Sequence, residues 1–235
     1  MAILKATNLA KSYNKKNYAY FMEMGCGKSK VLIDNITWLY QNQMINTAVI
    51  VAPKGVYRNW SEKEIPAHMP DHIEKHIGVW NPAPTLKQKR ELTKLFEVSH
   101  DLKILVINVE AFSTKKGVAF VEKFILAHNV LIAVDESTTI KNPKAQRTKN
   151  LLKLAINTKY RRILTGFPVT QSPLDLYSQS TFLSPQLLGY TSFYSFQKLR
   201  NELKRLADKT LTGLCLRILL VHQLWKIHDS PHQNP

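Results

Sequence analysis

Cysteine is scarce in this chain. Only two occur among 235 residues, Cys26 and Cys215, far apart and without a CxxC or Cys/His grouping around either. That excludes a disulfide framework and a thiolate zinc site, and it fits a reducing compartment such as the cytoplasm. Long apolar runs are also lacking. The longest, near Leu214 to Val221, is too short and interrupted to span a bilayer, and no apolar leader segment follows a basic start. A soluble protein with no membrane partner is expected. Acidic residues are few, 17 against 33 lysines and arginines, leaving a formal charge of +16 and a pI near 9.8. The deficit is concentrated: no Asp or Glu occurs from Ser137 through Leu174, while Lys141, Lys144, Arg147, Lys149, Lys153, Lys159, Arg161 and Arg162 fall inside. Such a run suggests a face held toward phosphates, nucleic acid first, because counterion release drives such binding. A merely solvated basic face is the plainer alternative.

With 44% hydrophobic residues the chain has ample material for a packed core. Thr47 to Ala52 (TAVIVA), Ile104 to Val109 (ILVINV) and Val130 to Val134 (VLIAV) are continuous apolar runs of the kind buried on both faces of a parallel sheet. Tyr18 to Glu23 and Arg162 to Thr165 read as shorter strands. Between them, helical spacing predicts helices over Lys28 to Tyr40, Val56 to His68, Lys87 to Val98, Val118 to His128, Leu151 to Ile156 and Ser172 to Leu183. Residues 1–16 read as the tail end of a helix entering a loop, His72 to Trp80 gives no clear pattern, and Phe193 to Lys209 reads as a basic amphipathic helix before a polar tail. Alternation of this kind specifies an α/β sheet covered on both faces, with ligands beyond the carboxyl ends of its strands.

The stretch Phe21 to Asp34, FMEMGCGKSKVLID, is a strand end, a glycine-bearing loop, a lysine, a hydroxyl residue and a helix start. Gly25 and Gly27 flank Cys26 and let successive N–H groups turn toward an anion, which the helix N-terminus also attracts. Lys28 would reach the β- and γ-phosphates of a nucleotide, and Ser29 would take one position on Mg2+. Met22 stands where the full GxxxxGK[ST] pattern has its first glycine. Asp135 and Glu136 follow the VLIAV strand. There the aspartate suits metal binding and the glutamate suits activation of water. Cys26 reads as a small filler between glycines. His68, His72 and His76 recur every four residues, but Pro70 breaks the helix that would align them on a metal. Trp60 and Trp80, among apolar neighbours, read as core or groove-wall residues.

The segments EMGCGKSK, VIVAPKGVYRNW, VINVEAF, VDESTTIKNPKAQRTK and RRILTGFPVTQSPLDLYSQ, ordered over about Phe21 to Leu183, resemble the Swi/Snf-like branch of superfamily-two helicases and translocases, particularly its compact phage and bacterial forms. The resemblance implies a RecA-like P-loop NTPase lobe over residues 1–190 that couples ATP hydrolysis to movement on DNA, with RNA the alternative track; a monomer is expected. It assigns Met24, Gly25, Cys26, Gly27, Lys28, Ser29 and Lys30 to ATP, Ser29 and Asp135 to Mg2+, and Lys28 and Glu136 to catalysis. Thr165 and Gly166 would couple the γ-phosphate to the nucleic-acid track. Pro53, Lys54, Arg58 with Asn59 and Trp60, Asn108 with Glu110, and Lys141 would lie on that track.

Departures from the family pattern carry expectations of their own. No glutamine-bearing adenine-reading segment precedes Phe21, Ser137-Thr138 replaces a common Ala-His, and Phe167 replaces a usual threonine. Nothing after Leu183 resembles a second lobe with its arginine finger, a group contributing on the order of 10³ to 10⁵ in rate. This stretch alone is therefore expected to hydrolyse ATP very slowly. The alternative function is a non-hydrolysing nucleic-acid-binding module derived from such a motor.

Overall fold

Apolar runs that must be dry on both sides become inner strands of a parallel sheet, and the computed structural model, which describes residues 2–190 and 192–207, shows this. The strands are β1 (Asn17–Phe21), β2 (Thr47–Ala52), β3 (Lys75–Val79), β4 (Leu102–Asn108), β5 (Val130–Asp135) and β6 (Tyr160–Thr165). They form one sheet in the order β1-β6-β5-β2-β4-β3, with all pairs parallel. Every residue of β2 and β4 is buried. At the edge, β3 buries only Gly78. Its sequence KHIGV carries no run that distinguishes it from loop, which is why periodicity leaves it unassigned.

Side-chain alternation splits the interior into two cores. Ala48, Ile50, Ile104, Val106, Leu131 and Ala133 face helix α2 (Lys28–Gln41) and the segment 57–68. Val49, Val51, Leu105, Ile107, Ile132 and Val134 face the opposite layer. That layer comprises α5 (Leu86–Lys94), α6 (Lys115–Leu126), α7 (Gln146–Ala155) and α8 (Leu176–Leu183). The first helix, α1 (Ala2–Tyr13), is fuller than a helix tail; it packs on α2, where the Tyr13 and Trp38 rings stack at 4.3 Å. The segment 57–68 is helical throughout but changes register: α3 (Tyr57–Asn59), a π turn (Trp60–Glu64), then α4 (Ile65–His68). The last described helix, α9 (Phe193–Ala207), docks through Phe193 and Phe196 against Tyr177 of α8. The apolar run of residues 211–224 and the tail beyond it lie outside the described residues.

The basic run does not form one face. Arg162 is 0% exposed at the amino end of β6, donating to the backbone carbonyls of Ser12, Lys15, Lys16 and Arg161 and to Asn35 Oδ1. No carboxylate pairs with it among the described residues. Arg161 donates to the carbonyls of Ile156, Phe182 and Leu183, and Lys159 to that of Met44. These cations close the foot of the sheet, opposite the carboxyl edge, so the expectation that the whole run faces phosphates fails. A guanidinium with five donors satisfies several carbonyls at once, which makes arginine fit for this purpose.

Candidate active site

Beyond the carboxyl ends of β1, β6 and β5 the structure gathers the residues that the motifs single out. After β1, Gly25 and Gly27 adopt φ of 75° and 78°, the left-handed region that glycine enters without steric cost. Gly27 is the N-cap of α2, its helix end has no side-chain cap, and the first turn contains no acidic residue. The unpaired N–H groups of that turn therefore face the loop as an anion site. Lys28 Nζ donates to the carbonyls of Met22 at 3.1 Å and Glu23 at 3.2 Å, lying across the loop. From α1, the Lys5 ammonium packs on Gly27 so closely that a Cβ there would lie 2.6 Å from it. No sequence motif marked this lysine.

The other loop assignments separate. Lys30 pairs with Asp34 at 2.7 Å along α2 and turns its charge from the cradle. Met24 is 77% exposed at the loop tip, and Cys26 is half-buried against the core.

At the end of β5, Asp135 is held at both oxygens: Oδ2 accepts from the Trp60 indole N–H and Oδ1 from the Glu136 N–H, each at 3.0 Å. Burial pushes its carboxyl above the usual carboxylate range and adjacent Glu136 adds to this; the Trp60 hydrogen bond and the Lys28 charge oppose it. Glu136 sits in the left-handed region at φ 46°, ψ 62°, a strained conformation for a residue with a Cβ. Thr165 Oγ1, at the end of β6, lies 3.3 Å from Glu136 Oε2 as its donor. The Ser29 hydroxyl and the Asp135 carboxylate would supply oxygen donors only. No lysine or arginine among the described residues pairs with Asp135, and such a carboxylate suits a hard dication such as Mg2+.

Behind these residues lies a network that sequence reasoning missed. Ser137 Oγ donates to Gln179 Oε1 at 2.6 Å, and Gln179 Nε2 donates to the carbonyls of Pro168 and Asp175. Asp175 accepts from the Thr170 N–H and hydroxyl and from the Gln171 N–H, with Lys141 3.8 Å away. Although burial alone would raise it, those bonds hold the Asp175 carboxyl below its usual range. The segment after Asp135-Glu136 is thereby tied to the loop after Thr165-Gly166. Phe167 remains 65% exposed on that loop.

The track residues follow β2 and β4, the next strands along the edge. Lys54 and Arg58 are exposed, the latter with Nε 3.3 Å from Tyr57 Oη. Pro53 is half-buried. Asn108 is buried and caps the following turn by accepting from the Ala111 N–H, and Lys141 donates to Thr170 Oγ1 at 2.6 Å. Trp60 is 2% exposed and faces Asp135, so it does not lie on the track. The three histidines have separate neighbours: Glu64 for His68, Gln41 for His72 and Glu91 for His76.

Comparison with known proteins gives a consistent pattern. The family described as SNF2-related domain matches residues 8–228. Protein CHROMATIN REMODELING 24 of Arabidopsis thaliana is 24% identical over 217 residues, covering 83% of this chain and 18% of that protein. ATP-dependent helicase FUN30 of Saccharomyces cerevisiae is 27% identical over 180 residues, covering 74% and 15%. The chain thus spans less than a fifth of the length of these curated relatives. The Sulfolobus solfataricus SWI2/SNF2 ATPase core, solved in complex with dsDNA, superposes with a TM-score of 0.62 at 22% identity, over 83% of this chain and 36% of that one. That likeness confirms the RecA-like α/β fold.

Proposed function

Since the chain belongs to the SNF2-related domain family, we propose that it is the ATP-binding motor lobe of a DNA-dependent ATPase that couples hydrolysis to movement along DNA. The observation that carries this is the meeting of Lys28, Asp135-Glu136 and Thr165 at three adjacent strand ends, with Thr165 bonded to Glu136. Loop N–H groups and Lys28 bind the β- and γ-phosphates, and Lys28 exchanges the Met22 and Glu23 carbonyls for phosphate oxygens as it does so. Ser29 and Asp135 would hold Mg2+, which would neutralise charge on the phosphates. Glu136 orients the attacking water and takes its proton. Thr165 and Gly166 convey the state of that carboxylate to the loop of residues 166–175. Lys54 and Arg58, with Pro53, Asn108 and Lys141 around them, meet the DNA backbone, which suits stepping without regard to sequence.

On this reading residues 1–190 are the lobe, followed in sequence by the basic helix and C-terminal tail of residues 191–235. A compact phage or bacterial type, working as a monomer in the cytoplasm, belongs to the same proposal. The test is ATP turnover with and without duplex DNA, on this chain and on any longer chain its reading frame encodes. DNA-stimulated turnover in the longer chain, slow turnover in the 235 residues, and loss of both in Lys28→Ala are expected. DNA binding without turnover in either chain would establish the non-hydrolysing module instead.

A further inference from the structure

Along the carboxyl edge, the nucleotide residues occupy β1, β6 and β5, and the track residues β2 and β4; the two groups meet between β5 and β2. The Trp60 indole reaches across that seam, donating from Nε1 to Asp135 Oδ2 at 3.0 Å.

Its local origin is visible. Trp60 opens a π turn in which the Ile65 N–H reaches back five residues to the Trp60 carbonyl. Pro66, which has no N–H to continue an α-helical ladder, follows at once. Single π turns inside helices recur at functional sites, because the extra residue re-aims a side chain. Here the shifted register buries the indole against Asp135 while Arg58, two residues earlier, stays exposed.

An indole N–H is a neutral donor and nothing else. It occupies one lone pair of the carboxylate and fixes its plane, together with the Glu136 N–H on the other oxygen. It adds no positive charge. A lysine or arginine at this position would compete with a bound dication for Asp135, whereas tryptophan orients the carboxylate and leaves its full charge available. The ring also keeps water from the back of the group.

We propose that Trp60 is a positioning residue that sets the Asp135 carboxylate for the Mg2+ of a bound nucleotide. The inference rests on the assignment of Asp135 as a metal ligand made above. The test is binding of fluorescent mant-ADP to the full chain in Mg2+ and in EDTA. Losing a group that hydrogen-bonds a metal ligand changes metal affinity by roughly 10- to 100-fold. Trp60→Phe is therefore expected to weaken the Mg2+-dependent affinity about tenfold and leave the affinity in EDTA within about twofold. In an Asp135→Asn background the same substitution should change neither. An equal loss in both media, or an undiminished loss in the Asp135→Asn background, overturns the proposal. Asp135→Asn that leaves the Mg2+ dependence intact overturns the metal assignment instead. Should Trp60→Phe fail to fold, replacement of Trp60 by β-(3-benzothienyl)alanine, with sulfur in place of the N–H and the ring shape retained, decides the same question. A wild-type Mg2+ dependence in that protein would refute the proposal.

Discussion

Three residues have consequences that belong to single side chains. Arg162→Met would leave the Lys15 carbonyl and Asn35 Oδ1 without their donor, while the Ser12 and Lys16 carbonyls keep the Lys15 and Arg161 N–H groups. Each orphaned group costs about 1–3 kcal/mol, so a loss of about 3 kcal/mol or more in denaturant unfolding is expected. Arg162→Lys should recover little of it, since an ammonium cannot span the same fork of acceptors. Ser137→Ala should cost about 1–3 kcal/mol by stranding Gln179 Oε1, and adding Gln179→Leu should deepen the loss, because the Pro168 carbonyl then loses its Nε2 donor as well. The urea midpoints of the single and double variants measure the difference. At His128, burial and then the Lys103 ammonium hold the imidazole below its ordinary pKa of about 6.5, against a raising hydrogen bond to the Leu95 backbone. The unfolded chain therefore binds the proton more readily. The stability contributed at this site is full above the unfolded value and falls as pH drops below it. Thermal midpoints taken from about pH 8 down to about pH 5 should decline, and His128→Phe should flatten that part of the profile.

At the scale of elements, the phosphate loop depends on backbone geometry more than on side-chain identity. Gly27→Ala places a Cβ at a φ of 78° and against the Lys5 ammonium, whereas Gly55 has open space around its Cα. Nucleotide binding should be lost in Gly27→Ala and unchanged in Gly55→Ala, as read by mant-ADP titration. The inner strands were legible because a strand covered on both faces must be apolar throughout, and TAVIVA, ILVINV and VLIAV have no other way to stay dry. Edge strand β3 was not, because one buried residue in five leaves no period to read. Helix ends shifted by several residues; the helix expected from Leu151 begins at Gln146, where exposed Gln146 and Lys149 hide the apolar spacing. The site divides in the same way. Lys28, Asp135, Glu136 and Thr165 are recognisable because the chemistry restricts their types and spacing. The Trp60–Asp135 contact spans 75 positions and the Ser137–Gln179 contact 42, so only the packed structure shows that these residues meet.

Across the whole molecule, charge was the least faithful guide. A net +16 predicts attraction to polyanions, but it does not tell which cations are spent internally. Arg161, Arg162 and Lys159 are bonded to backbone carbonyls within the fold, leaving Lys54 and Arg58 as exposed cations of the track. Duplex DNA affinity should fall steeply with salt. Lys54→Ala combined with Arg58→Ala should lower the slope of log K against log salt by about 2, with no preference between DNA sequences. Fluorescence anisotropy at several salt concentrations gives that slope.

Sheet order also dictates a sequence of events during synthesis. Among the described residues, strand β1 pairs only with β6, Asn17 lying opposite Arg161. A ribosome adding about 5–20 residues per second leaves β1 without its neighbour for roughly 7 to 30 s. The remaining strands can associate with one another in that interval. Tyr18, Tyr20 and the phosphate loop wait for β6 to leave the exit tunnel. The nucleotide cradle, though encoded before β2 to β5, is thus completed after them, and during that wait its aromatic strand lacks its sheet partner.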